Sequence, residues 1–220
     1  MHIHIPDGVL PLWLWALGYA IVIIFLFVAV RKVRGEEKRG IYAAAMAAIM
    51  LVAMSIPLGV PYHINLTVLA GIILGPWWAL ISAFVTNLIL ATFGHGGITI
   101  VGLNTIVTWF ECLVGFYMFK VLQKAFMRKS WRFPMAGGVS TFTALVLSTV
   151  LVIGMVGVSG INPAETIHHH DNGSEEAQMS LAVFAALTFP ISLVGAVIEA
   201  AVTALILIYV KKVKPILIPG

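Results

Sequence analysis

Apolar residues in this chain fall in long unbroken runs, and polar residues are pushed to the gaps between them. Val9 to Val30 carries no charge at all. A helix needs about 20 apolar residues to cross a bilayer, so this run predicts a first span. Arg31 to Arg39 is a charged loop. Tyr42 to Leu58 reads as a second span, closed by Pro57, Gly59 and Pro61. Leu66 to Leu74 is apolar but short for a crossing, and Gly75-Pro76 breaks it. Trp77 to Phe93, Ile98 to Phe119, Pro134 to Val158 and Leu181 to Val210 follow, with a turn at Gly94-His95-Gly96-Gly97. The pattern predicts an all-α polytopic membrane protein with seven transmembrane helices. Residues 1–220 form a single transmembrane domain, with 1–8 a loop ahead of the first helix and 159–180 a loop on the outer side.

The basic residues give this count an orientation. They fall in three clusters: Arg31, Lys32, Arg34, Lys38 and Arg39; Lys120, Lys124, Arg128, Lys129 and Arg132; and Lys211, Lys212 and Lys214. With seven spans all three lie on one side, which the positive-inside rule makes the cytoplasm. The N-terminus is then outside and the C-terminus cytoplasmic. The loop carrying Glu165, Asp171, Glu175 and Glu176 has no basic residue and lies outside. Six spans would strand the last lysine cluster on the wrong side.

Composition agrees. Apolar residues make up 60% of the chain and charged residues 10%, against about a quarter charged in soluble domains. Such a chain cannot cover a water-exposed surface. Cys112, the one cysteine, sits in an apolar run and reads as helix packing. Ala43/Ala47 and Ala44/Ala48 are small-xxx-small pairs, which let another helix approach closely in lipid. They suit either a partner membrane subunit or a neighbouring helix of the same chain.

The candidate chemistry is at the start, Met1-His2-Ile3-His4-Ile5-Pro6-Asp7-Gly8. No basic region precedes the first apolar run, and that run exceeds a signal-peptide core of about 7–15 residues. Met1 is therefore expected to stay in the mature protein. Its amine, the deprotonated amide nitrogen of His2 and the His2 ring Nδ1 close a five-membered and a six-membered chelate ring. Three donors then lie near one plane, and a fourth nitrogen completes a square. That geometry suits Ni(II) or Cu(II) rather than Zn(II), Mg(II) or Ca(II). Pro6-Asp7-Gly8 reads as a turn that folds the segment back toward the helices. His63, at the outer break between spans two and three, is the first candidate for the fourth ligand; His95 is the second. His4 lies on the same side as His2 in an extended segment and could ligate or support. His168-His169-His170-Asp171 sits in the acidic outer loop and reads as solvated or as a weak gathering site. Glu111, Glu199 and Asn104 lie inside spans, where polar groups are costly and face a cavity or a partner. Glu111 and Glu199 suit a transport relay and a structural hydrogen bond equally.

These residues resemble a known family. His4-Ile5-Pro6-Asp7-Gly8, the stretch from Ile56-Pro57 through His63 to Leu74-Gly75-Pro76-Trp77, and Gly94-His95-Gly96-Gly97-Ile98 with Gly102-Leu103-Asn104 are similar to three ordered signatures. Their family is the nickel/cobalt-specific substrate-capture (S) components of energy-coupling factor (ECF) type ABC transporters. The Ile-Pro-Asp-Gly form resembles the nickel branch. The resemblance implies a six-helix core plus one extra N-terminal helix, and a metal held by Met1, His2 and His63. The family histidine maps to His2 by its distance from the terminus and to His4 by motif; only His2, beside the amine, closes the fused rings. It further implies that Ala43, Ala44, Ala47 and Ala48 face a transmembrane coupling (T) subunit and that ATPase subunits, with room for a small accessory membrane subunit, supply the energy. The chain would have no enzymatic activity and no cofactor, only a transported ligand, Ni(II) or Co(II), and would sit as a multi-pass protein in a prokaryotic cytoplasmic membrane. No Gly-x-x-x-x-Gly-Lys-Ser/Thr occurs in it. The competing readings are a self-sufficient proton-coupled carrier using Glu111 and Glu199, and an intramembrane metalloenzyme; the latter lacks any His-Glu-x-x-His.

Overall fold

The structure, a computed structural model, describes residues 7–8, 10–56, 63–94, 96–125, 131–163 and 179–218. Among them every regular element is helical. The helices are α1 (Leu12–Lys32), α2 (Glu37–Ser55), α3 (Thr67–Leu74), α4 (Pro76–Thr92), α5 (Val101–Ala125), α6 (Arg132–Ser159) and α7 (Leu181–Val213). A short 3₁₀ turn, Ile98–Ile100, leads into α5, and another, Pro215–Leu217, follows α7.

Five of these helices are long and apolar enough to cross a membrane: α1, α2, α5 with its 3₁₀ lead, α6 and α7. Helix α4 has 17 residues, close to the lower limit of about 17 for a crossing. Helix α3, expected to span, has 8 residues and so rises only about 12 Å. It is a half-helix, and residues 63–66 lead into it without helical structure. The other expected spans each form a helix, with ends displaced. Helix α1 continues through Arg31 and Lys32, and α2 begins at Glu37, so the charged loop is shorter than its charges suggest. Helices α5 and α7 likewise run on into their terminal lysines. Long basic side chains project past a helix end while their stems stay on apolar surface, so charge alone does not end a span.

Helix α5 is the hub, packing against α1, α3, α4 and α6. Its buried face is polar, with Asn104, Thr105, Thr108 and Glu111 all nearly inaccessible. The outward faces of the other helices are apolar: Ile23, Ile24 and Phe27 on α1 and Val194, Val197 and Leu205 on α7 are exposed. An exposed apolar belt around a polar-lined interior is what lipid as solvent selects.

Helices α3 and α5 nearly touch. A Cβ on Gly71 would collide with the backbone of Cys112, so only glycine fits there. The Cys112 thiol donates to the Thr67 carbonyl at 3.0 Å, and the residue is fully buried. Cys112 thus packs the α3–α5 crossing, as its place in an apolar run suggested.

The three basic clusters meet at one end of the bundle. A cavity of about 260 Å³ there is lined by Lys32, Arg39, Gly75, Trp78 and Lys120, among others. Lys211 and Arg132 both sit over the Phe133 ring, and the Lys214 ammonium donates to the Tyr42 hydroxyl at 2.7 Å. Clusters far apart in sequence therefore share one surface.

Candidate functional site

The site is built from the end opposite the basic cluster, where the chain enters and α5 begins. Met1, His2, His4 and His95 lie outside the described residues, as do residues 164–178 with the His168–Asp171 cluster. Asp7, Gly97 and His63 lie within them.

The Asp7 carboxylate sits on the first amides of the α5 lead. It accepts from Ile98 N at 3.1 Å, from Thr99 N at 2.8 Å and from Thr99 Oγ1 at 2.8 Å. Amides at a helix start lack partners along the helix and attract a negative charge. Asp7 supplies both the acceptor and the charge from more than 90 residues away. Gly97 makes the contact possible, since a Cβ there would fall on the Asp7 side chain and its backbone nitrogen. Tyr19 of α1 adds a tie by donating its hydroxyl to the Ile98 carbonyl at 2.6 Å. Asp7 and Gly97, which belong to two motifs that look separate in the sequence, thus meet in one contact. His4 is three residues from it on one side, and His95 two on the other.

Thr99 is chiefly responsible for holding the Asp7 carboxyl below its ordinary value of 3.8: its backbone N–H is the largest influence, partial burial opposes it, and its hydroxyl and the Ile98 N–H add to it. The clasp is therefore fully ionised at neutral pH. Replacing Asp7 by alanine removes three hydrogen bonds at an exposed helix start, where loss of a cap costs about 1 kcal/mol. The expected result is about fivefold faster amide hydrogen exchange at Ile98 and Thr99, with no change at buried α5 amides such as that of Val107. Unchanged exchange at those two amides would mean that Asp7 does not hold the segment.

His63 is half-buried. Its Nδ1 lies 3.3 Å from the Ile56 carbonyl at the end of α2. A carbonyl only accepts, so Nδ1 is the donor in this contact. Two residues on, the main chain enters α3 between two buried carboxylates. Glu199 of α7 accepts from Asn65 N and Leu66 N, at 3.1 and 2.9 Å. Glu111 of α5 accepts from Thr67 Oγ1 at 2.5 Å and from Ser148 Oγ of α6 at 2.6 Å. The two intramembrane glutamates, which suited relay or structure equally by sequence, here hold the start of α3. Asn104 is also buried, and its carbonyl accepts from Thr108 Oγ1. Among the described residues no group of three or more His, Cys, Asp or Glu side chains stands close enough to hold a metal.

The alanine face expected to meet a partner divides in two. Ala43 and Ala47 are buried, and their carbonyls accept from Ser82 and Thr86 of α4, at 2.9 and 3.2 Å. This corrects their assignment to a partner surface: the hydroxyls of α4 draw that face inward. Ala44 and Ala48 are exposed on the other side of α2.

The family described as the cobalt uptake substrate-specific transmembrane region (CbiM) matches residues 4–217. The fused nickel transport protein NikMN of Rhodobacter capsulatus is 36% identical over 108 residues, which cover 46% of this chain and 31% of that protein. A NikMN relative from Archaeoglobus fulgidus is 36% identical over 129 residues, covering 55% of this chain and 43% of its own. The chain therefore matches less than half the length of these fused relatives. The cobalt transport protein CbiM of Sorangium cellulosum is 28% identical over 168 residues, covering 71% of this chain and 74% of that one. A crystal structure of a transition metal transporter superposes with a TM-score of 0.75 at 26% identity, covering 97% of this chain and 93% of that chain.

Proposed function

The chain belongs to the family described as the cobalt uptake substrate-specific transmembrane region, and we propose that it is a membrane component that captures Ni(II) outside the cell for ATP-driven import by partner subunits. The metal is held by the Met1 amine, by His2 through amide and ring, and by His63, with His4 and His95 nearby. The chain crosses the membrane seven times, with α3 and the extended residues before it forming the third crossing. Its N-terminus is outside and its C-terminus is in the cytoplasm of a prokaryotic cell. The gathering of all three basic clusters at one end supports that orientation.

One observation carries the site: Asp7 clasped on Ile98 and Thr99. It holds Asp7, six positions after Met1, against the start of the α5 lead. Nickel is favoured over cobalt because an amine, an amide and imidazoles form an all-nitrogen planar set. The partner surface, a T subunit with its ATPases, is assigned to the exposed Ala44 and Ala48 side of α2, where small residues admit another helix. The proton-coupled carrier has less support, since Glu111 and Glu199, the two carboxylates it needs, act as acceptors for α3 and α6.

Proteoliposomes holding the purified chain alone, loaded with ATP and supplied with labelled nickel, are the test. Binding without ATP-driven accumulation is expected, and co-reconstitution with the partner subunits should restore uptake. ATP-driven accumulation by the chain alone would overturn the partner requirement. Stronger competition by cobalt than by unlabelled nickel would reverse the metal assignment.

A further inference from the structure

Residues 63–66 pose a problem of hydrogen bonding. Asn65 is 0% exposed and Leu66 6% exposed, yet neither is in a helix. In a membrane interior no water can satisfy such a backbone. Leu66 is also left-handed, with φ 56° and ψ 20°. That is unfavourable for a side chain with a Cβ and persists only where the surroundings impose it. One carboxylate in those surroundings meets both residues. Glu199, fully buried, spans both amides with its two oxygens, and it reaches them from α7 across 134 positions of sequence. Glu111 fixes the next residue, Thr67, and is itself fixed by Ser148.

His63 is two residues before this anchor, a reach of at most about 7 Å. On its other side the ring is bound to the Ile56 carbonyl. The imidazole thus hangs between the end of α2 and a point set by α7. We infer that Glu199 is a positioning residue for the metal site. It holds the Asn65 and Leu66 amides so that the His63 ring is presented to the metal in one place. The inference rests on the reading of His63 as a ligand. Glu199 touches no metal in this scheme; it acts through the backbone.

The test is nickel titration and absorption spectroscopy on the full chain with a free Met1, as wild type, His63→Ala, Glu199→Gln and the double variant. Glutamine keeps the size of Glu199 but turns an NH₂ toward one of the two N–H donors. Losing a hydrogen-bond partner behind a ligand typically costs about 10–100-fold in metal affinity, and that loss is expected for Glu199→Gln. Its spectrum should match that of His63→Ala, and the double variant should bind no more weakly than His63→Ala alone. A purely structural role for Glu199 would lower stability without that spectral match, and its loss would multiply with the loss from His63→Ala. Either that multiplication or wild-type affinity in Glu199→Gln alongside weakened His63→Ala overturns the inference and leaves the ligand reading intact. Unchanged binding and spectrum in His63→Ala sinks the ligand reading and this inference with it. If Glu199→Gln does not yield folded protein, Glu199→Asp draws the carboxylate back from the amides and is read in the same way.

Discussion

Acetylation of the Met1 amine is expected to abolish nickel binding, whereas adding one residue before Met1 is expected to preserve it but make it independent of His63. Both results follow from counting chelate rings. In the proposed site the amine, the His2 amide and the His2 ring fill three corners of a square, and a separate side chain must fill the fourth. An acetylated amine has no lone pair to give, so the five-membered ring cannot close. The affinity falls by more than about 100-fold, because even an outer-shell loss reaches that range. A one-residue extension turns the Met1 nitrogen into an amide and supplies a new amine beyond it. Amine, two amides and the imidazole now make two five-membered rings and a six-membered one, and the square closes without help from the bundle. His63→Ala then lowers nickel affinity in the native chain and leaves it unaltered in the extended one. An extension of ten residues puts the amine out of reach and behaves like acetylation. If acetylated protein binds nickel normally, the site consists of side chains alone, from among His4, His63 and His95.

The sequence carried the helices and their order because each is a local property. A run such as Val9 to Val30 predicts α1 without reference to anything else. It could not show what becomes of the third expected span. Leu66 to Leu74 is almost wholly apolar, and nothing local reveals that its first residue is left-handed or that the amide of that residue is held by a residue more than 130 positions away. The glutamates were visible as costly residues in a membrane, but their partners were not. The Asp7 clasp was half legible. Pro6-Asp7-Gly8 announces a turn, and Gly96-Gly97 before Ile98 and Thr99 announces space at a helix start; that one fills the other is a tertiary fact. The alanines of α2 show the same limit from another side. Their spacing marks a close helix contact, and Ser82 and Thr86, the residues that decide which face is used, are on α4.

Nickel affinity should collapse as pH falls, in two stages with different slopes. Free α-amines titrate near about 7.7–8.0 and free imidazoles near about 6.5, and every donor must give up its proton to bind. The His2 amide releases one proton at any pH. Below about pH 8 the amine releases a second, so affinity falls about 100-fold per unit. Below about pH 6.5 two imidazoles add two more, and the slope steepens to about 10⁴-fold per unit. A site of three imidazoles alone would be flat above about pH 6.5, so the stretch from pH 8 to 6.5 separates the two readings. Asp7 does not confuse this measurement. Its carboxyl is held below 3.8 in the folded protein. A depressed carboxyl stabilises the fold at pH values above its unfolded value, and that contribution is lost only as pH falls through the lower folded one. The clasp is therefore constant from pH 8 to 5. Asp7→Asn should displace the nickel curve downward without altering either slope. A single shallow slope across the whole range would rule out the deprotonated amide, and with it the planar set that favours nickel.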